Sequence, residues 1–288
     1  MTKPTSIIGA SVGRVEGAEK VNGTAIYGAD VHFDDALWAK ILRSPYPHAR
    51  IKSIDTSRAW KVPGVKAIVT GKDEPEHYQG KSIRDIPVLC WDKVRYIGDK
   101  VAAVAAESRD AAEEAVNLID VEYEELPAVF DVLEAMQPGA PVLHDNAPAY
   151  DGAPAEIMAP AGGNVLNKLT FGKGDIEKGF AEADLVLEHT FRMPIHHQGY
   201  LEPQSFLVKI DDDGTVNAWA STKGPFGSRG QFAKAVGIAP KQIHLQAVHV
   251  GADFGGKSGA GELPICYFLA KQAKRPVKIV LTHSEELT

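Results

Sequence analysis

The chain has 288 residues, 44% apolar and 24% charged, with a formal net charge of -7; this is the balance of a soluble globular protein with one large domain or two ordinary ones. The acidic surplus, with no cluster of Lys and Arg, argues against a nucleic-acid partner. No run of 18 apolar residues occurs, and the N-terminus "MTKPTSIIGASVGRVEG" lacks the apolar segment of a secretory leader, so no membrane contact and a cytoplasmic location are expected.

In chain order, "LWAKILR", "ARIKSID" and "VKAIVTG" read as strands, with a short helical stretch "TSRAWK" ended by Pro63 and Gly64. "VRYIGDKVAAVAAES" predicts two strands about the turn pair Gly98 and Asp99, the second apolar throughout and suited to a sheet interior. Ser108 is placed to cap a helix in which Ala112, Ala115, Val116 and Ile119 form a stripe of small and branched residues, able to lie close against a sheet. "IDVEYEELPAVFDVLEA" adds a strand, a break at Pro127 and a short helix, closing one α+β unit near residue 135.

Residues 137 to 164 are dense in Pro, Gly, Ala and Asp without periodicity, as a connection between units would be. Beyond them, "NVLNKLTFGKG", "DLVLEHTFRM", "QSFLVKI" and "TVNAWAST" read as strands, with "DIEKGFAEA" a helix capped by Asp175 and "DDDG" a hairpin turn. A helix ending at Gly237, the strand "QIHLQAVHV", the apolar helix "ELPICYFLAKQAK" and the strand "PVKIVLTH" follow.

Between that strand and that helix stands "GADFGGKS", residues 251 to 258, a full match to the phosphate-loop pattern G-x-x-x-x-G-K-[ST]. Its surroundings disfavour a nucleotide. The Asp253 carboxylate would repel a triphosphate unless turned away, Phe254 is bulky for a loop closing round an anion, and "PVKIVLTHSEE" offers no acidic ligand for Mg²⁺. Two other readings stand beside it. One is a plain turn joining strand to helix; the other is a cofactor cradle in which Gly255 and Gly256 let backbone come close to a flat or anionic ligand while Phe254 offers an apolar face and a peptide N-H.

The assembled stretches resemble the N-terminal part of the molybdenum-binding subunit of the xanthine dehydrogenase and aldehyde oxidase family of molybdenum hydroxylases. "GRVEGAEKVNGTAIYGAD", "SPYPHARIKSID", "VRYIGDKVAAVAAES" and "VEYEELPAVFD" resemble the segment leading into its hammerhead domain and that domain itself, and "HHQGYLEPQ", "STKGP" and "VGADFGGK" resemble the opening of its cofactor-binding domain. The resemblance implies an α+β fold: an N-terminal segment over 1–18, an aldehyde oxidase/xanthine dehydrogenase a/b hammerhead domain over 19–135, a connector over 136–164 and the first, incomplete part of a molybdopterin-binding domain over 165–288. It further implies that Phe254, Gly255 and Gly256 contact a molybdenum-molybdopterin cofactor, chiefly through backbone, with Asp253 and Lys223 beside them. Phe254 and Lys223 are placed near the metal, and Ser258 and Glu202 at the substrate pocket.

Two residues depart from the family pattern. Lys223 stands where many relatives carry Gln, adding a positive charge if it faces the metal, and Ser258 stands where purine-oxidising relatives carry Glu, so purines are not favoured. No catalytic residue is expected on this chain, because the family's general-base Glu lies near a C-terminus that these residues do not reach. A truncated piece or a subunit split over two polypeptides is therefore expected, inactive alone. The implied reaction is oxidation of an aldehyde or an N-heterocyclic or aromatic substrate with water as oxygen source.

The electrons would pass to 2Fe-2S and FAD carriers on partner chains. Cys90 and Cys266 are too few for a cluster, and the chain has no G-x-G-x-x-G fingerprint. A non-catalytic module that only docks subunits is the alternative. Glu202 is equally readable as a charge at a strand start, and Lys257 as a cofactor donor or a solvent-facing charge. His196 and His197 point to opposite faces if on a strand, and His144 and Asp145 read as a hydrogen-bonded turn.

Overall fold

The structure, a computed structural model, describes residues 8–153, 163–166 and 170–288. Twelve strands form in chain order: β1 Leu37–Arg43, β2 Ala49–Asp55, β3 Val65–Thr70, β4 Tyr78–Gln79, β5 Ile86–Pro87, β6 Lys93–Val94, β7 Lys100–Ala106, β8 Asp120–Glu125, β9 Ser205–Ile210, β10 Val216–Ala220, β11 Ile243–Ala247 and β12 Val277–Val280. The helices are α1 Gly17–Asn22, α2 Arg109–Asn117, α3 Val132–Ala135, α4 Ile176–Glu182, α5 Pro225–Val236, α6 Leu263–Ala273 and α7 His283–Glu286. The α+β class expected from the sequence is what forms.

The apolar run of β7 explains the centre of the molecule. Every one of its residues is buried, because it lies between β1 and β3 and is covered on both faces. Ala103 and Ala105 belong to a core shared with Phe232, Leu263 and Leu269 of α5 and α6, while Ala102 and Val104 meet Ala115 and Val116 of α2. The stripe of small residues on α2 is what allows that approach. Ser108 starts the helix by accepting the Ala111 N–H at 3.1 Å, an N-cap of the expected kind.

One seven-stranded sheet, in the order β11-β10-β9-β12-β1-β7-β3, joins strands from both sides of the 136–164 stretch. The join is β1 against β12, parallel, with Leu37 opposite Val277 and Trp38 opposite Lys278. α6 packs on β9 and also reaches β3, where Gln272 Oε1 accepts the Ile68 N–H at 2.9 Å. A buried ion pair ties the same two parts: Lys100 Nζ of β7 donates to Glu262 Oε2, at the start of α6, across 2.8 Å.

Three expectations need correction. Of the first strand drawn from "VRYIGDK" only Val94 is in a strand, as the second residue of β6, which pairs with β2 in a separate three-stranded sheet rather than with β7. Arg95 explains the break: its N–H goes to Asp99 Oδ2 at 3.0 Å and its guanidinium to the Leu143 carbonyl at 3.1 Å, so the chain turns away from a hairpin. Second, "DLVLEHTFRM" forms no strand and is unpaired among the described residues, with Leu187, Phe191 and Met193 exposed. Alternating apolar residues make a strand only where a partner accepts from the N–H groups and donates to the C=O groups. Of "NVLNKLTFGKG", residues 167–169 lie outside the described residues and the remainder forms no strand.

No helix among the described residues is long and apolar enough to cross a membrane.

Candidate functional site

β11 runs parallel to β10 and delivers the chain to a bend over residues 251–258. There Ala252, Phe254 and Gly255 take positive φ values of 77°, 43° and 101°. For Ala and Phe this region is sterically unfavourable and holds only when the surroundings enforce it. Asp253 does so: its Oδ1 accepts the Gly255 N–H at 2.7 Å, and its carbonyl accepts the Gly256 N–H, also at 2.7 Å. The Gly255 N–H holds the Asp253 carboxyl below the usual carboxylate range, with help from Lys223, whose ammonium stands 3.1 Å from it.

The two glycines of the bend face different surroundings. A Cβ on Gly256 would meet Tyr200 Cε1 at 2.6 Å, whereas one on Gly255 would meet nothing within 4 Å. Gly256 is therefore small because Tyr200 packs on it, and Gly255 because its φ of 101° suits no side chain. Phe254 is 74% exposed, and no acceptor among the described residues takes its N–H. The tip of the bend, Phe254 and Gly255, is open to the outside.

Behind the tip lies a polar cluster that the sequence only partly signals. Lys257 is fully buried, so neither a solvent-facing charge nor a donor reaching forward to a ligand describes it. Its ammonium is bonded to Glu202 Oε2 and sits 4.7 Å from the centre of the Tyr200 ring. Glu202 Oε2 also accepts the Gly251 N–H at 2.6 Å. The Tyr200 hydroxyl donates to Glu286, and burial followed by that carboxylate pushes its pKa up to about 12. Sequence reasoning misses Tyr200, Gly251 and Glu286 as members of this cluster. "YLEPQ" marks the neighbourhood, but nothing in it links residue 200 to residue 286.

These contacts remove the phosphate-loop reading. That loop needs a Lys free to reach phosphates and a helix opening at the same place; here the Lys is engaged internally and α6 begins only at Leu263.

The remaining candidates are placed as follows. Lys223 lies on the segment leaving β10, and its N–H donates to the Lys257 carbonyl at 3.3 Å, so the "STKGP" turn and the bend touch. Ser258 is exposed and lines a cleft of about 240 Å³ with Gln79, Lys81 and Gln231. Glu202 faces the interior cluster. His197 accepts the Gly199 N–H at 3.0 Å, His144 meets the Tyr150 hydroxyl at 3.0 Å, and Asp145 pairs with Lys93 at 2.7 Å. No group of three metal-ligating side chains occurs among the described residues. Cys90 and Cys266 are buried free thiols, and burial pushes both well up, away from nucleophilic character.

Two family models match the chain: the aldehyde oxidase and xanthine dehydrogenase a/b hammerhead domain over residues 22–127, and the molybdopterin cofactor-binding domain over residues 158–288. Among curated proteins, a probable xanthine dehydrogenase component of Bacillus subtilis is 38% identical, over 95% of this chain and 35% of that protein. The nicotinate dehydrogenase large molybdopterin subunit of Eubacterium barkeri is 32% identical, over 100% of this chain and 64% of that protein. Among solved structures, the reconstituted CO dehydrogenase from Oligotropha carboxidovorans superposes with a TM-score of 0.84 at 30% identity, over 97% of this chain and 35% of that one. The chain thus spans between about a third and two thirds of these relatives. With a hammerhead match followed by a cofactor-domain match that contains the bend, the chain belongs to the xanthine dehydrogenase and aldehyde oxidase family, as part of its molybdenum-binding portion.

Proposed function

We propose that this chain forms part of the molybdenum-cofactor subunit of a molybdenum hydroxylase, with the 251–258 bend as one wall of the pterin site. The observation that carries this reading is the open tip: an exposed Phe254 with an unclaimed N–H, beside a glycine whose side-chain space is empty. A flat, polar heterocycle fits such a surface, taking the peptide N–H as donor and the Phe254 ring as apolar contact. The peptide donors of Gly255 and Gly256 are already used by Asp253, so of the three peptides at the tip Phe254 provides the free one. The Asp253 charge, which would repel an anionic ligand, is turned toward Gly255 and offset by Lys223.

When bound, the molybdenum cofactor supplies two-electron oxidation of an electron-poor carbon, with oxygen drawn from water. This chain's own residues hold and orient. Phe254 and Gly255 present the contact surface, Asp253 and Lys223 fix its shape, and Ser258 with Gln79, Lys81 and Gln231 lines a neighbouring cleft suited to substrate. A neutral hydroxyl at 258 favours aldehydes and heterocycles that need no carboxylate there. The reading puts the remaining molybdenum-domain polypeptide, a 2Fe-2S subunit and an FAD subunit on partner chains. It also treats 19–135 and 165–288 as two units whose strands close one sheet.

The test is metal and pterin analysis of the chain purified with its partners, beside a Gly255→Val variant. Stoichiometric molybdenum in the wild type and its loss in the variant is the expected result. A complex that assembles without molybdenum would leave only the docking role.

A further inference from the structure

The two ends of the bend are tied to one and the same carboxylate oxygen. Glu202 Oε2 accepts the Gly251 N–H at 2.6 Å and also takes the Lys257 ammonium, and these two residues bracket the tip. We propose that the buried Lys257–Glu202 pair is a positioning strut that pins both ends of the bend together, so that the Phe254 N–H is presented outward before any ligand arrives. The inference rests on the molybdopterin reading only for the identity of that ligand.

Four observations support the strut. A Lys with 0% side-chain exposure beside a Glu at 15% is a desolvated pair, joined through Glu202 Oε2 while Oε1 is buried with no partner among the described residues, so each charge depends on the other. Compensation is supplied from a second side by the Tyr200 ring, 4.7 Å from the ammonium. Gly251 is required for the approach, because a Cβ there would stand 2.8 Å from Glu202 Cβ. The Lys257 backbone carries the constraint onward by accepting the Lys223 N–H at 3.3 Å, which couples the strut to the turn beyond β10.

The pair touches neither the open tip nor the Ser258 cleft, so its role is to orient other groups. With the ends of the bend untied, the Asp253 contacts alone would have to hold Phe254 at φ 43°, and its N–H would be free to withdraw. Preformed geometry of this kind raises affinity by removing the ordering cost from the binding step.

The experiment uses the chain in its complex and compares wild type with Lys257→Met, with the double variant Glu202→Gln/Lys257→Met, and with Lys257→Arg. Three quantities are read: pterin and molybdenum per chain, amide hydrogen exchange over residues 251–257, and the thermal midpoint. The single Met variant strands a buried carboxylate, so its midpoint falls; the double variant removes both charges, so its midpoint recovers. The strut predicts that cofactor retention does not recover with it, staying roughly 10- to 100-fold below wild type, while exchange at Gly255 and Gly256 is fast in both. Lys257→Arg restores part of the retention.

Cofactor content that simply follows the midpoint through the series overturns the proposal, as does unchanged exchange across the bend. Should Lys257→Met fail to fold, the double variant carries the same comparison. A wild-type complex without molybdenum sinks the molybdopterin reading, and the exchange data, which need no cofactor, then judge the strut by themselves.

Discussion

Strand β7 and the stretch 184–195 both carry apolar residues in the pattern of a strand, yet they end in opposite conditions. β7 is buried along its whole length; the other has Leu185, Leu187, Phe191, Met193 and Ile195 turned to the outside with no strand partner among the described residues. The difference lies in what stands beside them. β7 has β1 and β3 at its edges and helices on its faces, so its backbone groups are paired and its alanines enclosed. An apolar pattern thus records what a segment can bury, and the neighbours present decide whether it does so.

Four substitutions would break or sharpen this contrast. Val104→Asp sets an unpaired carboxylate in the middle of β7, and a loss exceeding about 4 kcal/mol is expected, enough to leave little folded chain by circular dichroism. Glu262→Ala strands the Lys100 ammonium of the same strand and should cost about 3–5 kcal/mol in urea unfolding. Ser108→Ala removes the cap of the helix that covers β7, for about 1 kcal/mol, visible as a lower thermal midpoint. Leu187→Ala in the unpaired stretch should change the chain's own stability by no more than about 0.5 kcal/mol. Its amides should exchange orders of magnitude faster than those of β7. Protection of residues 184–195 equal to that of β7 would show that the contrast is wrong.

The legibility of the sequence follows the same line. The main strands β1, β3, β7, β9, β10, β11 and β12 are legible because each carries its own apolar or alternating run with turn residues at its ends. Asp175, Ser108 and Gly237 announce helix ends through chemistry local to a few residues. β6 departs from its local pattern because a long-range hydrogen bond from Arg95 to Leu143 overrides it. At the site, "GADFGGKS" locates the bend and family resemblance gives it a ligand. The internal use of Lys257 stays hidden, because the same motif letters serve whether the ammonium reaches a ligand or a carboxylate fifty-odd residues earlier in the chain. The residues that hold the bend come from positions 200–204, 251–257 and 286, and no local rule connects them.

The parallel junction of β1 with β12 has a kinetic consequence. Leu37 is made well before its neighbour Val277, so one flank of β1 waits unsatisfied while the intervening polypeptide emerges. Non-local closure of this sort slows folding and leaves a sticky margin open in the meantime. Cells making this protein therefore face a window in which nascent chains can adhere to one another through that margin, and chaperone demand should fall once the residues around 277 have left the ribosome.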